Sequence, residues 1–201
     1  MSDTKNFILE TSFKLFLQKS FKEVTMNEIV KATGLSKGAF YHYFPSKEHL
    51  FNEIIDEYYM AFFAIDYSQF SQTNLYEFYH GYFKYVGHAM EQLLAEFVPD
   101  GNEAVAINYY LLIFDAINIY PGFREKTKVL TEREFQSWKN IVQTARAKGE
   151  IRSSMSDDQI AKVFTSVNDG IGLHAIVEGR INTMVEEVLD VFDAFYNQLK
   201  E

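Results

Sequence analysis

Helical periodicity runs through nearly the whole chain of 201 residues, and glycine, proline and capping residues divide it into segments. Apolar residues recur at the three- and four-residue spacing of an amphipathic helix, and we identify no segment with the two-residue alternation of a strand. Ser156-Asp-Asp-Gln159 and Thr183-Met-Val-Glu186 each match a capping box that opens a helix. Gly149 is a typical helix end. The sequence therefore predicts an all-α protein of about nine helices.

The most informative segment is TMNEIVKATGLSKGAFYHYFPSKEHL, from Thr25 to Leu50. Thr25 is placed to cap a short helix that ends at Gly34, and Ser36 to cap a second helix that must break at Pro45. Two short helices joined by a glycine-containing turn are the pattern of a helix-turn-helix. The sequence thus predicts a small three-helix domain at the N-terminal end.

The second helix of this pair divides into two unlike faces. Phe40 and Phe44 share one face, which is predicted to enter a small core. The other face carries Lys37, Gly38, Tyr41 and His42. A small residue lets a backbone approach a DNA groove, and the polar groups can bond phosphates or base edges. Lys47 begins the next helix, where its charge and the helix N-terminus suit a phosphate. For His42 an ordinary solvated surface position is the alternative.

Charge is distributed unevenly in a way that agrees with DNA contact at one end. Residues 1–50 carry seven Lys against five acids, a balance of +2, whereas the rest carries 12 basic residues against 23 acids, a balance of −11. A mildly basic head on an acidic body predicts that only the head approaches phosphate. Chance segregation is the alternative. We predict a DNA-binding domain over residues 1–48 and a ligand-binding and dimerisation domain over residues 49–201.

These residues resemble the DNA-binding head of the tetracycline-repressor (TetR) family of bacterial regulators. The resemblance covers about residues 5–55 and depends most on GLSKGAFYHYFPSKEHLF. It implies a homodimeric repressor that leaves a near-palindromic DNA operator when a small effector binds the body, although ligand-promoted binding and activation stay open. The residues to which it assigns DNA contact are Thr25, Ser36, Lys37, Gly38, Tyr41, His42 and Lys47. One departure is Ser20, which stands where the family usually has glycine.

The body is rich in aromatic residues, with 12 of them in the 28 positions from Tyr58 to Tyr85. A helical core explains most of them, but many tyrosine hydroxyls need partners when buried, and aromatic rings with a few polar groups suit a small-molecule pocket. The resemblance places such a pocket between central helices of the body. The candidates for binding a partly apolar or aromatic effector are Phe62, Tyr82, Tyr85, Tyr110, Phe114, Trp138 and Asn168.

Two acidic residues have either a structural role or a role in binding a ligand. Asp115 lies in an apolar helix, where a buried carboxylate needs a structural partner or a cationic ligand; pairing or an exposed edge is favoured. His174 and Glu178 lie one helical turn apart, so they are predicted to pair with each other. Two ligands are too few to predict a metal site.

The last two helices carry apolar stripes that need a cover. The resemblance implies a four-helix interface between two copies, and the side chains assigned to it are Val163, Val167, Ile171, Val188, Phe192 and Tyr196. A two-fold dimer would place the two DNA-reading helices roughly 34–36 Å apart or a little more.

Other classes of protein receive little support. The chain has no cysteine, and no recognisable catalytic, nucleotide-binding or metal motif, so we predict no enzyme, no cofactor and no metal. The start of the chain is amphipathic rather than apolar, and no apolar run reaches about 20 residues, which predicts a cytoplasmic protein without membrane contact. A scaffold with a vestigial head and an enzyme of unfamiliar type remain the rival interpretations.

Overall fold

A computed structural model describes residues 3–60, 64–97 and 103–201, and the described residues form nine α-helices. In chain order the helices are α1 (Asp3–Glu23), α2 (Met26–Thr33), α3 (Lys37–Tyr43), α4 (Lys47–Ile54), α5 (Leu75–Phe97), α6 (Glu103–Ile119), α7 (Phe123–Ala147), α8 (Asp157–Val177) and α9 (Met184–Lys200). A π-helical segment, Ile55–Met60, continues α4. The prediction of an all-α fold with about nine helices is confirmed. Within the described ranges, no helix has the length and apolar character needed to cross a bilayer.

The helices belong to two compact units. The first consists of Met1–Ala64 and Leu94–Thr127, and the second of Ile65–Leu93 and Lys128–Glu201. In the first unit α1 packs along α6, and in the second unit α8 packs against α9. The functional division predicted between residues 48 and 49 stays a prediction.

Aromatic rings hold the first unit together beneath the helix-turn-helix. The Phe21 ring lies 4.4 Å from that of Phe51, centroid to centroid, and the Phe13 and Tyr58 rings stack at 4.6 Å. Such pairs add about 0.5–1.5 kcal/mol each beyond the burial of their area. The side-chain amide of Asn108 on α6 donates to the Leu17 carbonyl of α1 at 2.7 Å. These contacts join α1 to α4, to the π-helical segment and to α6 within the first unit.

Helix α1 is interrupted near its end by a residue with unusual backbone angles. Ser20 has φ 69° and ψ 157°, and it is the non-glycine residue with positive φ among those described. This region of backbone space is nearly reserved for glycine and costs a residue with a Cβ about 1–3 kcal/mol. The sequence departure at Ser20 therefore places a serine on a conformation that suits glycine.

We expect Ser20→Gly to raise the free energy of unfolding by about 1 kcal/mol, because relief of strain exceeds the extra entropy of glycine in the unfolded chain. For a chain of this size that is about 2–4 °C in Tm. Thermal unfolding of the variant and of Ser20→Ala measures it, with the alanine variant expected to gain nothing. An unchanged or lower Tm for Ser20→Gly would show that this conformation carries no strain.

Of the two capping boxes predicted for the body, the structure contains one. The Ser156 hydroxyl accepts from the Gln159 backbone N–H, and the Gln159 side chain accepts from the Ser156 backbone N–H, so the first box is confirmed. The second box is wrong. Thr183 makes no side-chain capping bond to α9 and its hydroxyl instead donates to the Arg180 carbonyl at 3.0 Å. A 3₁₀ turn, Ile181–Thr183, precedes α9 and gives Thr183 helical rather than extended backbone angles.

Candidate functional site

Helix α3 is held in place by its inward face. Phe40 and Phe44 are fully buried and lie with ring centroids 6.3 Å apart. At the start of α3 the Ser36 hydroxyl accepts the Ala39 backbone N–H at 3.2 Å, and before it Gly34 ends α2 with φ 67°. The structure therefore contains the predicted turn and the predicted core of the helix-turn-helix.

The outward face of α3 presents the four side chains singled out in the sequence. Lys37, Gly38, Tyr41 and His42 are all exposed, and Tyr41 has 40% of its surface accessible. A Cβ added at Gly38 would meet nothing within 4 Å. The face is thus open and polar, and the missing side chain at Gly38 leaves room for a partner molecule to approach the helix backbone.

Two of the hydroxyls to which the sequence assigns DNA contact already have structural roles. Thr25 accepts the Glu28 backbone N–H at 3.2 Å as the cap of α2, and Ser36 caps α3. A hydroxyl that accepts one hydrogen bond still has its own proton to donate. Each hydroxyl can therefore cap its own helix and at the same time donate its proton to a phosphate oxygen.

Lys47 is more constrained than the sequence suggested. Its ammonium donates to the carbonyls of Phe21 at 2.7 Å and Val24 at 2.8 Å, and it lies 4.2 Å from the centroid of the Phe21 ring. Burial lowers the pKa of Lys47. The side chain satisfies carbonyls near the end of α1, with one of three ammonium protons left for an outside acceptor. Its contact with phosphate stays a prediction.

The second unit contains a group of polar and aromatic side chains, the acidic cluster, which we define as Tyr67, Tyr82, Glu134, Trp138 and Asp169; the two tyrosines and the tryptophan are buried, Glu134 is half-buried and Asp169 is exposed. The Tyr82 hydroxyl donates to Glu134 Oε1 at 3.3 Å, and Tyr67 also hydrogen-bonds the Glu134 carboxylate. The Tyr67 and Tyr82 rings are nearly parallel at 6.0 Å, and the Trp138 ring meets Tyr82 edge-on at 5.5 Å. Polar groups and aromatic rings thus surround one carboxylate.

The electrostatics of the acidic cluster oppose the charged form of its acids. Burial, and next the Asp169 carboxylate, raise the pKa of Glu134 to about 7, although the nearby donor groups of Tyr82, Trp138 and Tyr67 act the other way. Burial also raises the pKa of Asp169 and, most strongly, that of Tyr82. Among the described residues neither carboxylate forms an ion pair.

The predicted pocket residues fall in different places. Tyr82 and Trp138 belong to the acidic cluster, Tyr85 is exposed with its ring 5.9 Å from that of Phe70, and Asn168 is half-buried beside Asp169. Tyr110 and Phe114 belong to the first unit, where Phe114 is exposed. Phe62 lies outside the described residues.

Three members of the acidic cluster, Tyr67, Glu134 and Asp169, were missed by the sequence analysis. A signal was available for one of them, since Glu134 and Trp138 are four residues apart and share a face of α7. Tyr67 and Asp169 come from a loop and another helix, and neither spacing nor composition connects them to Glu134.

Asp115 and Glu178 both take structural partners. Asp115, 9% exposed, lies with a carboxylate oxygen 3.8 Å from the Lys22 ammonium, which confirms the favoured prediction of structural pairing. Glu178 bonds the Arg180 guanidinium at 2.5 and 2.8 Å. The predicted pairing of His174 with Glu178 is thus replaced by a nearer arginine, although the His174 charge still helps to lower the pKa of Glu178.

The predicted dimer residues divide by burial. Val188, Phe192 and Tyr196 are buried in their own chain, where the Phe192 ring packs edge-on against Phe164 at 4.7 Å. They are core residues of this chain with little exposed surface, and their place in a dimer interface stays a prediction. Val163, Val167 and Ile171 on α8 are half-buried, and their role in an interface stays a prediction.

Helix α3 follows α2 after a glycine turn, is anchored by two buried phenylalanines and presents a polar outward face. These features define a helix-turn-helix protein. The family described as "Bacterial regulatory proteins, tetR family" matches residues 8–54. Residues 8–54 of the chain are thus similar to the DNA-binding part of this family, in agreement with the resemblance seen in the sequence.

Curated relatives match over the same part of the chain. The chain is 46% identical over 59 residues to the HTH-type transcriptional regulator YuxN of Bacillus subtilis, covering 29% of this chain and 20% of that protein. It is 37% identical over 60 residues to the HTH-type transcriptional repressor NemR of Escherichia coli, covering 30% of each. The chain thus spans no more than about three tenths of these curated relatives, so their activities do not transfer with the match.

Solved structures of the same fold cover nearly the whole chain. A TetR transcription regulator from Haloarcula marismortui has a TM-score of 0.70 at 14% identity, covering 99% of both chains. A transcriptional regulator from Saccharomonospora viridis, in complex with choline, has a TM-score of 0.63 at 16% identity and covers 96% of this chain and 97% of that one. At such identities the likeness establishes the fold alone.

Proposed function

We propose that the chain is a ligand-responsive, DNA-binding transcriptional repressor that leaves a near-palindromic operator when a small, partly apolar or aromatic effector binds. The observation that carries the proposal is the outward face of α3, where Lys37, Gly38, Tyr41 and His42 are exposed together on a helix fixed by two buried rings. Residues 1–48 would bind DNA, and residues 49–201 would bind the effector and a second copy.

The chemistry of this face suits the major groove of DNA. At Gly38 the helix backbone can approach the base edges, while Tyr41 and His42 offer hydrogen-bonding groups and Lys37 offers a charge to phosphate. Thr25, Ser36 and Lys47 flank the face and would fix its register by bonding phosphates. With one lysine on the face itself, specificity depends on shape and short polar groups as much as on charge.

The effector would act through a two-state change in the body. A site containing Tyr82 and Trp138 would bind it, and helix α4 with its π-helical continuation would transmit the change, since π-helical turns often mark functional positions. A coupling of about 1–3 kcal/mol between the two sites would alter operator occupancy 5- to 150-fold. That a regulator of the same fold has been solved with choline supports small-molecule binding in a body of this type.

A homodimer would supply two reading helices for a near-palindrome. Its proposed interface includes Val163, Val167 and Ile171 on α8, with the exposed apolar residues Leu173 and Val177 of the same helix extending it. Apolar surface of this kind on neighbouring turns favours association with a like surface. The isologous geometry would set the spacing of the two DNA half-sites.

The test is selection of binding sequences from random duplex DNA by the purified protein at near-physiological salt. We expect enrichment of a near-palindrome, and we expect Tyr41→Ala to lower its affinity by about tenfold or more, since one base-edge or phosphate contact is worth about 1–3 kcal/mol. Circular dichroism and gel filtration would establish that the variant keeps its fold and assembly. Recovery of only salt-sensitive, sequence-independent DNA, unchanged by Tyr41→Ala, would favour the scaffold interpretation.

A further inference from the structure

Lys47 connects the two ends of the helix-turn-helix through its ammonium group. The Nζ atom donates to the Val24 carbonyl at 2.8 Å and to the Phe21 carbonyl at 2.7 Å. Val24 directly precedes Thr25, which caps α2, and Lys47 itself is the first residue of α4. Because α2 and α3 both lie between these two points of the chain, the bonds join the segment that enters the helix pair to the segment that leaves it.

The two carbonyls need a donor from outside their own helix. Helix α1 ends at Glu23, and the last carbonyls of a helix have no partner within it. The hydrogen bonding of this turn is also weak, because Ser20 interrupts α1 and the Val24 N–H reaches the Ser20 carbonyl only at 3.4 Å. Phe21 and Val24 are buried, so a carbonyl without a donor would be costly here. Lys47 therefore fixes the position of this turn.

The ammonium group is held on a further side by an aromatic ring. Nζ lies 4.2 Å from the centroid of the Phe21 ring, which itself lies 4.4 Å from the ring of Phe51 on α4. The face of the ring attracts the cation. Burial lowers the pKa of Lys47, as expected for an ammonium group that has left part of its hydration behind. Lys37 on the outward face of α3 is exposed by contrast, so the two lysines offer a matched pair.

We propose that Lys47 is a positioning residue for DNA recognition, which holds the outward face of α3 at the angle that a specific sequence requires by fixing both ends of the α2–α3 pair. The inference rests on the proposed function, because it concerns how the same DNA-binding face is presented. A phosphate bond alone would contribute about equally on every DNA sequence. A residue that sets the angle of α3 contributes to operator binding and much less to other DNA, whether or not its third ammonium proton also reaches a phosphate.

The experiment compares Lys47→Met with Lys37→Met, which makes the same change on the exposed face of α3. The affinities for the selected operator and for a scrambled duplex of equal length are measured over a range of salt concentrations, with circular dichroism to establish that each variant is folded. We expect Lys47→Met to weaken operator binding about tenfold and binding of the scrambled duplex by no more than about twofold, which lowers specificity about fivefold. Lys37→Met should weaken both duplexes alike and reduce the slope of log affinity against log salt by about 0.9.

Equal losses on the two duplexes would overturn the inference, because Lys47 would then act as a phosphate contact alone, and so would unchanged binding of both. If Lys47→Met does not fold, Lys47→Gln, whose amide can still donate to one of the carbonyls, takes its place with the same expected direction and the same overturning outcomes. A parent protein that binds the operator and the scrambled duplex equally would contradict the proposed function itself. A parent that discriminates between them, with a Lys47 variant that discriminates as well, contradicts only this inference.

Discussion

Gly38→Leu is expected to weaken operator binding by about 100-fold or more while leaving the chain at least as stable as before. A Cβ at position 38 meets nothing within 4 Å in the unbound protein, so the larger side chain has room on the exposed face of α3. Glycine is also the poorest helix former apart from proline, so its replacement in the first turn favours α3 by about 0.5 kcal/mol. In the complex, however, leucine would occupy the space that the proposed DNA backbone or base edges need.

The measurement is operator affinity by fluorescence anisotropy, with thermal unfolding on the same samples. A 100-fold loss corresponds to about 2.7 kcal/mol, near the upper end of the roughly 1–3 kcal/mol expected for a single polar contact such as that of Tyr41. Ala147→Leu, which places the same leucine side chain at an exposed position ending α7, serves as the matched control and should bind DNA as the parent does. Normal operator binding by Gly38→Leu would mean that this face of α3 does not lie against DNA.

The helix-turn-helix was predictable from the sequence because its determinants are local. Thr25, Gly34 and Ser36 act on backbone groups within four residues of themselves, and each takes the conformation that its position predicts. Even there, a longer-range contact changed one detail. Glu28 is the third residue of α2, where the acid of a capping box with Thr25 would stand, but its carboxylate instead pairs with Lys19 at 2.5 Å.

The helices of the body could be predicted from the sequence, but the side chains that come together between them could not. The apolar spacing of α9 indicates which side chains are buried, yet it does not say whether their own chain or a second copy covers them. Phe192 packs against Phe164 of the same chain, a contact between helices that no local pattern encodes. The acidic cluster was hidden for the same reason, since a loop tyrosine and two acids on separate helices meet only through packing.

Glu134→Gln is expected to stabilise the chain at and above pH 8, by about 2–3 kcal/mol. In the folded protein the pKa of Glu134 is about 7, raised by burial and by Asp169, against about 4.5 for an ordinary glutamate. Between these two values the folded state binds more protons than the unfolded state, so the stability of the parent falls as pH rises from about 4.5 to 7. Glutamine carries no charge at any of these values and avoids that loss.

The gain should therefore be full above pH 8, shrink through the window between pH 7 and 4.5, and disappear below it. Urea unfolding at pH 4, 6 and 8 measures it, and at pH 8 the Tm should rise by about 4–12 °C. Glu132→Gln, an exposed acid two residues away, should show no comparable trend with pH. A gain that persists at pH 4 would have to come from packing, and no gain at pH 8 would mean that Glu134 is not held against its charge.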